Sequence, residues 1–127
     1  MIKKSFNQPF IKAAAVSILI LFSCAAATTF YLDIQEKKQE VVQVENEKDG
    51  TIFFYRDDCP ECQKIFKQVF ILGSIDGNQK NINLNQEKNR KYISDFNIDQ
   101  VPTIFKNGKR YEGLKEIEKF LDQESIF

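Results

Sequence analysis

Residues Thr51 to Cys62 read TIFFYRDDCPEC. The first five are β-branched or aromatic and follow Gly50, so they predict a buried strand. The run that follows has Cys62, Ile65, Phe66, Val69 and Phe70 at helical spacing. It predicts a helix from Pro60 to about Leu72, with Asp57 and Asp58 ahead of it, Pro60 in its first turn and Gly73 past its end. A loop after a buried strand brings Cys59 to the surface. The helix N-terminus then offers its sulfur unpaired backbone N–H groups and the positive end of the helix dipole. Both favour the thiolate, which is the nucleophile in thiol chemistry. Cys62 lies one turn on, close enough to close a disulfide, and Pro60 stiffens the turn between them.

Other uses of two cysteines fit less well. The chain has 127 residues, three Cys and no His. A zinc site at Cys59 and Cys62 needs two more ligands, and the rest of this region has neither Cys nor His. A structural disulfide closing so short a loop constrains little unfolded-chain entropy. The absence of His also excludes His-based acid–base catalysis and Ser–His or Cys–His nucleophile pairs. Eighteen basic and 18 acidic residues give a formal net charge of zero, which argues against a nucleic-acid partner. Thiol–disulfide redox chemistry remains, and it requires no metal and no organic cofactor.

Outward from the dithiol, elements alternate. Asn81 to Asn85 (NINLN) reads as a second strand, and Glu87 to Phe96 as a helix with Tyr92, Ile93 and Phe96 on one face. Thr103 to Lys106 is a third strand, Asn107-Gly108 a two-residue hairpin turn, and Lys109 to Glu112 a fourth strand. Leu114 to Leu121 closes the chain as a helix. The order β-α-β-α-β-β-α predicts an α/β fold, a mixed sheet with helices on both faces.

On the N-terminal side, Asp33 to Asp49 is rich in Glu, Gln, Lys and Asp. It reads as a linker or stalk (33–49), with Val42 and Val44 hinting at a short edge strand; a plain spacer fits equally. Ala13 to Leu32 (AAAVSILILFSCAAATTFYL) is 20 residues without a charge or proline. A helix of that length spans about 30 Å, the hydrocarbon thickness of a bilayer. Lys3, Lys4 and Lys12 precede it, so residues 1–12 are expected in the cytoplasm, 13–32 as a transmembrane signal anchor, and a domain at 50–127 outside. The neutral total thus divides into +3 before the apolar run and −3 after it. Two alternatives stay open: a cleaved signal peptide, with small residues at Ser23 to Ala27, and a lipoprotein carrying its lipid on Cys24.

Over about residues 41–127 the sequence resembles the thioredoxin superfamily. The resemblance rests on TIFFY, the Cys59–Cys62 motif, NINLNQE, and above all Tyr92 to Gly108, YISDFNIDQVPTIFKNG. It implies a thioredoxin-like mixed sheet flanked by helices, preceded by the one N-terminal transmembrane helix. It further implies a catalytic Cys59 and Cys62, with Asp58, Pro60 and Glu61 as motif and tuning residues. Val101-Pro102 would be a cis peptide facing the disulfide, and Val101, Pro102 and Thr103 would bind substrate backbone. Taken alone, Pro102 reads as an ordinary strand-start proline. The chain departs from thioredoxins in having Phe53 where they carry a buried Asp, and Asp58 where they carry Trp just before the first Cys. Their first helix is also missing. Asp57, Asp58 and Glu61 should oppose a Cys59 thiolate, with Arg56 and Lys64 as possible counter-charges; equally, the acids could simply cap the helix.

The expected activity is that of an extracytoplasmic thiol–disulfide oxidoreductase, with partners among protein or peptide thiols and disulfides and a membrane redox partner. Direction is open. In size, anchor and motif the chain is similar to accessory proteins of bacteriocin production. The rival expectation is a non-catalytic thioredoxin-like adaptor of an export complex with a structural disulfide, favoured by the missing buried Asp.

Overall fold

The computed structural model describes residues 7–46, 48 and 50–124. Lys3 and Lys4 of the basic N-terminus, Glu47 and Asp49 of the expected linker, and 125–127 lie outside the described residues. The chain forms two compact units, residues 1–35 and 36–127.

The first unit is dominated by helix α1, Gln8–Lys37. Between Ala13 and Leu32 it carries no charge on any side, Phe10, Leu19, Leu21, Phe22 and Phe30 are all exposed, and by length and composition the helix can cross a membrane. Its few hydroxyls are satisfied within the helix: Ser17 donates to the Ala13 carbonyl, Ser23 to Leu19, Thr28 to Cys24 and Thr29 to Ala26. These four hydroxyls therefore have partners inside the helix without water.

The second unit is built on a four-stranded sheet in the order β2-β1-β3-β4. The strands are β1 (Thr51–Tyr55), β2 (Gln79–Asn83), β3 (Thr103–Lys106) and β4 (Lys109–Glu112). β1 runs parallel to β2 and antiparallel to β3, and β3 antiparallel to β4. Helix α2 (Pro60–Asp76) connects the parallel pair, helix α3 (Lys91–Asp95) follows β2, and helix α4 (Gly113–Glu124) closes the chain. Asn107 and Gly108 both have positive φ, 52° and 80°, as the tight β3–β4 hairpin demands.

β1 is buried along its whole length and feeds two cores. Its odd residues, Phe53 and Tyr55, pack with Ile65, Phe66 and Val69 of α2 and Ile117 and Phe120 of α4. Its even residues, Ile52 and Phe54, pack with Ile82, Tyr92, Phe96 and Phe105 on the other face. The Phe54 ring lies 5.4 Å from Phe96 and 5.8 Å, edge-on, from Phe105.

Three boundaries differ from the sequence expectation. Helix α2 continues through Gly73 to Asp76 and ends at Gly77, whose φ of 74° provides the left-handed cap. Gly73 serves close packing instead: a Cβ there would overlap the Gln79 side chain. Strand β2 begins at Gln79, not Asn81, because Gln79 and Lys80 pair with Thr51 and Ile52. It stops at Asn83, whose side chain accepts the Asn85 N–H. The 87–96 stretch is a 3-10 turn (Glu87–Arg90) running into α3 rather than one α-helix.

Residues 38–46 form no ladder strand, yet their backbone is held by side chains of the domain. The Asn89 amide donates to the Glu40 carbonyl and accepts from Val42 N–H. The Tyr92 hydroxyl donates to the Val42 carbonyl and accepts from Val44 N–H. Gln86 and Lys80 donate to the carbonyls of Gln39 and Gln43. Val42 and Val44 pack on the Phe54 face of the sheet.

Candidate active site

β1 ends at Tyr55, and the Arg56–Asp58 loop carries the chain to Cys59. Cys59 is the N-cap of α2, extended at φ −90° and ψ 118°, with Pro60 starting the helix. The Cys59 sulfur accepts the Cys62 N–H at 3.3 Å, and the Cys59 carbonyl accepts from Gln63 N–H at 2.9 Å. The cysteine side chain therefore fills the capping role that sequence reasoning offered to Asp57 and Asp58.

The two thiols have unlike surroundings. Cys59 is half-buried and Cys62 is fully buried, and both are free. Burial is the first cause pushing the Cys62 thiol well above its usual range; the hydrogen bond with Cys59 adds to it, a backbone bond from Arg56 opposes it, and the charges of Cys59 and Glu61 raise it further. Phe53, at the position where thioredoxins carry Asp, is fully buried and stacks 5.1 Å from Tyr55.

The carboxylates ahead of the dithiol are held by neutral amides. Asn85 donates to Asp57, and to Asp58 at 2.9 Å. Gln39 donates to the Asp57 carboxylate at 3.3 Å, and Gln63 to the Asp57 carbonyl at 2.8 Å. Among the described residues, neither Arg56 nor Lys64 forms an ion pair with Asp57, Asp58 or Glu61. Glu61 lies exposed in the first turn of α2. Sequence reasoning missed Asn85, Gln39 and Gln63, which carry no signal beyond being amides. It also missed Tyr55, a buried phenol whose pKa is raised by burial and then by Asp57, Glu36 and Cys62. Among the described residues, no three acidic or thiol side chains are placed to hold a metal ion.

Across from the dithiol, the Val101-Pro102 peptide is cis, and the Val101 carbonyl lies 3.9 Å from the Cys59 sulfur. Val101 is half-buried and Pro102 buried, and the Pro102 carbonyl is taken by Gly113 N–H at 2.9 Å. Thr103 is fully buried, with its hydroxyl given to the Gln100 carbonyl at 2.7 Å, so it braces the turn from within.

A dithiol at the start of the helix after the central strand, a cis-proline turn opposite it, and a parallel pair extended by an antiparallel hairpin together decide the architecture. The fold is thioredoxin-like. No protein-family model matches the chain, and no curated protein matches it. Among solved structures it is similar to thioredoxin O1 from Arabidopsis thaliana in the oxidized state, at 20% identity over 57% of this chain and 74% of that one, with a TM-score of 0.43. Mitochondrial thioredoxin 3 from Saccharomyces cerevisiae is similar at 13% identity over 61% and 82%, with a TM-score of 0.44. Thioredoxin O2 from Arabidopsis thaliana is similar at 14% identity over 76% and 86%, with a TM-score of 0.43.

Proposed function

We propose that this chain is a membrane-anchored protein thiol–disulfide oxidoreductase whose thioredoxin-like domain works outside the cytoplasm. One observation carries the chemistry. The Cys59 sulfur sits at the N-cap of α2, 3.3 Å from the Cys62 N–H and 3.9 Å from the Val101 carbonyl. It is the more exposed of the two thiols, with the second directly beneath it.

In the reducing direction the Cys59 thiolate attacks a substrate disulfide. A Cys59–substrate bond forms and the substrate's other sulfur leaves as a thiolate. Cys62 then attacks Cys59, closes the Cys59–Cys62 disulfide and releases the second substrate sulfur. The Cys62 proton passes to water or to Glu61, since Phe53 provides no carboxylate. Run in reverse, the same pair oxidises a substrate dithiol. Val101 and Pro102 hold an extended substrate chain beside the dithiol, Thr103 supports that turn, and Asp58, Pro60 and Glu61 tune the motif.

The location is read from α1. Residues 1–12 stay in the cytoplasm with Lys12, residues 13–32 span the bilayer, and 33–49 lead to the domain at 50–127. Redox turnover there requires a membrane partner to supply or withdraw electrons.

The test is a Cys62→Ser trap in the full chain. It should accumulate a mixed disulfide through Cys59 with a peptide disulfide, while Cys59→Ser forms none. A trap that captures nothing, in a chain whose Cys59→Ser form keeps its cellular phenotype, would overturn the enzyme reading and favour an adaptor.

A further inference from the structure

β1 and β2 are parallel neighbours, so their C-terminal ends leave the sheet side by side. Tyr55 is paired with Asn83, and the Leu84 N–H donates to the Tyr55 carbonyl at 2.8 Å. Two residues beyond each strand, Asn85 meets Asp57. Its amide nitrogen donates to Asp57 and, at 2.9 Å, to Asp58, so one atom gathers two carboxylates. Asn85 is held in turn, its own N–H going to the Asn83 side chain at 3.0 Å.

The two acids stand directly ahead of the outer sulfur. The Cys59 N–H donates to the Arg56 carbonyl at 3.3 Å, which folds 56–59 into a tight turn. The Cα atoms of Asp58 and Asp57 lie at most about 4 and 7 Å from that of Cys59, within the roughly 8 Å screening length of physiological salt. Their partners Asn85 and Gln39 are neutral, and among the described residues neither Arg56 nor Lys64 pairs with them. A lysine at position 85 would hold the same two carboxylates and cancel their charge; an amide holds them and leaves it. The charge reaches inward too: burial first raises the Tyr55 pKa, and Asp57 raises it further. Across the site the Cys59 sulfur faces the Val101 carbonyl oxygen at 3.9 Å, an acceptor that suits a thiol and opposes a thiolate. Only the helix end, with the Cys62 N–H at 3.3 Å, favours negative charge there.

We propose that Asn85 is a positioning residue of the dithiol: it pins Asp57 and Asp58 as two uncompensated charges beside Cys59, and through them opposes negative charge on that sulfur. This rests on the oxidoreductase reading and adds a bias to it. When the pair oxidises a substrate dithiol, the last step is attack of the second substrate thiolate on the mixed disulfide. The substrate disulfide forms, the Cys59–substrate bond breaks, and Cys59 leaves as a thiolate, the pair having taken two electrons. The pinned acids oppose that departure. When the pair reduces a substrate it ends as the neutral Cys59–Cys62 disulfide, which they do not oppose. The bridge thus shifts the pair toward giving electrons, relative to the same dithiol without it.

Iodoacetamide alkylation of Cys59 at pH 7, in the reduced full chain in detergent with Cys24→Ser, tests this, because its rate follows the thiolate fraction. Asp57→Asn/Asp58→Asn should raise the rate at least about threefold. Asn85→Lys should do the same with both acids still present. Asn85→Ala should raise it at least about twofold, by freeing the acids to turn into solvent, and should add nothing in the Asp57→Asn/Asp58→Asn background. High salt should speed the parent and barely move the double variant. Against glutathione at pH 9, the Asp57→Asn/Asp58→Asn pair should sit at least about threefold further toward its reduced form. In each variant, Cys62 remaining slower than Cys59 verifies an intact site. A double substitution that changes the alkylation rate less than threefold overturns the proposal. So does Asn85→Ala gaining nothing, or gaining equally in both backgrounds, which would make the amide a brace of the loop and nothing more. Alkylation needs no substrate disulfide, so this outcome is separate from the Cys62→Ser trap: a silent trap beside the expected rates removes the enzyme reading and keeps the charge effect.

Discussion

The Cys62 N–H donates to the Cys59 sulfur at 3.3 Å, while the Cys62 side chain is itself fully buried. One residue therefore contributes a backbone donor to its neighbour's sulfur and hides its own thiol beneath it. This asymmetry orders the two cysteines: the outer sulfur meets a partner first, and the inner one waits.

Alkylation should follow that order. With limiting iodoacetamide near pH 7, Cys59 should be modified well before Cys62 in a Cys24→Ser chain, read by mass spectrometry of the peptide carrying both. The Cys62 thiol is held above its usual range chiefly by burial, so it stays protonated and slow at that pH. Equal modification of the two would contradict the burial described.

Alkali should destabilise the reduced protein through the same groups. Cys62 and Tyr55 both have folded-state pKa values raised above their unfolded ones. The folded state then holds protons that the unfolded chain releases, so stability falls with rising pH. The loss should begin as pH passes about 8.5 for the thiol and about 10 for the phenol. Urea midpoints from pH 7 to 11 should fall more steeply for the parent chain than for a Cys62→Ala/Tyr55→Phe variant. Parallel curves would argue against it.

Asn85→Ala should cost about 1–3 kcal/mol by urea unfolding, because one amide bonds both Asp57 and Asp58 and its loss leaves two carboxylates facing each other. Asn85→Asp should be worse, since it replaces the donor by a third like charge. If Asp is tolerated better than Ala at this position, the bridge is not what holds the loop before Cys59.

Gly73→Ala is a test of packing against propensity. Alanine gains about 1 kcal/mol over glycine inside a helix. Its Cβ would displace the Gln79 amide, which bonds the Val69 carbonyl at 3.1 Å and Asn81 at 2.7 Å. Losing two such bonds costs about 1–3 kcal/mol, so the expected net is a loss of roughly 1 kcal/mol in thermal or urea unfolding. Adding Gln79→Ala should cost little more, since the bonds it deletes are already lost in Gly73→Ala; two fully additive losses would contradict the contact.

The hairpin at Asn107-Gly108 and the dithiol at the head of a helix were readable in the sequence, because each depends on a few adjacent residues. Gly73 shows where such reading fails. As a symbol it marks a helix end, but its effect depends on Gln79, whose side chain occupies the space a Cβ would need. The start of β2 was hidden likewise, since Gln79 and Lys80 have little strand character and enter the sheet only because Thr51 and Ile52 lie beside them. At the site, the cysteines and Pro102 were legible from spacing and resemblance. Asn85 and Gln39 were not, because a side-chain amide acquires meaning only from what it faces.

The sequence by itself determined the order of elements, the apolar 20-residue run and the pairing of thiol chemistry with a helix start. These follow from local periodicity and short spacings, which survive in one dimension. The tertiary structure alone decided that Cys62 is buried under Cys59, that the Val101 carbonyl faces the outer sulfur across 42 residues of chain, and that residues 38–46 are tied to the domain by Asn89 and Tyr92. Those are contacts between distant segments, and their existence depends on how the sheet brings the segments together.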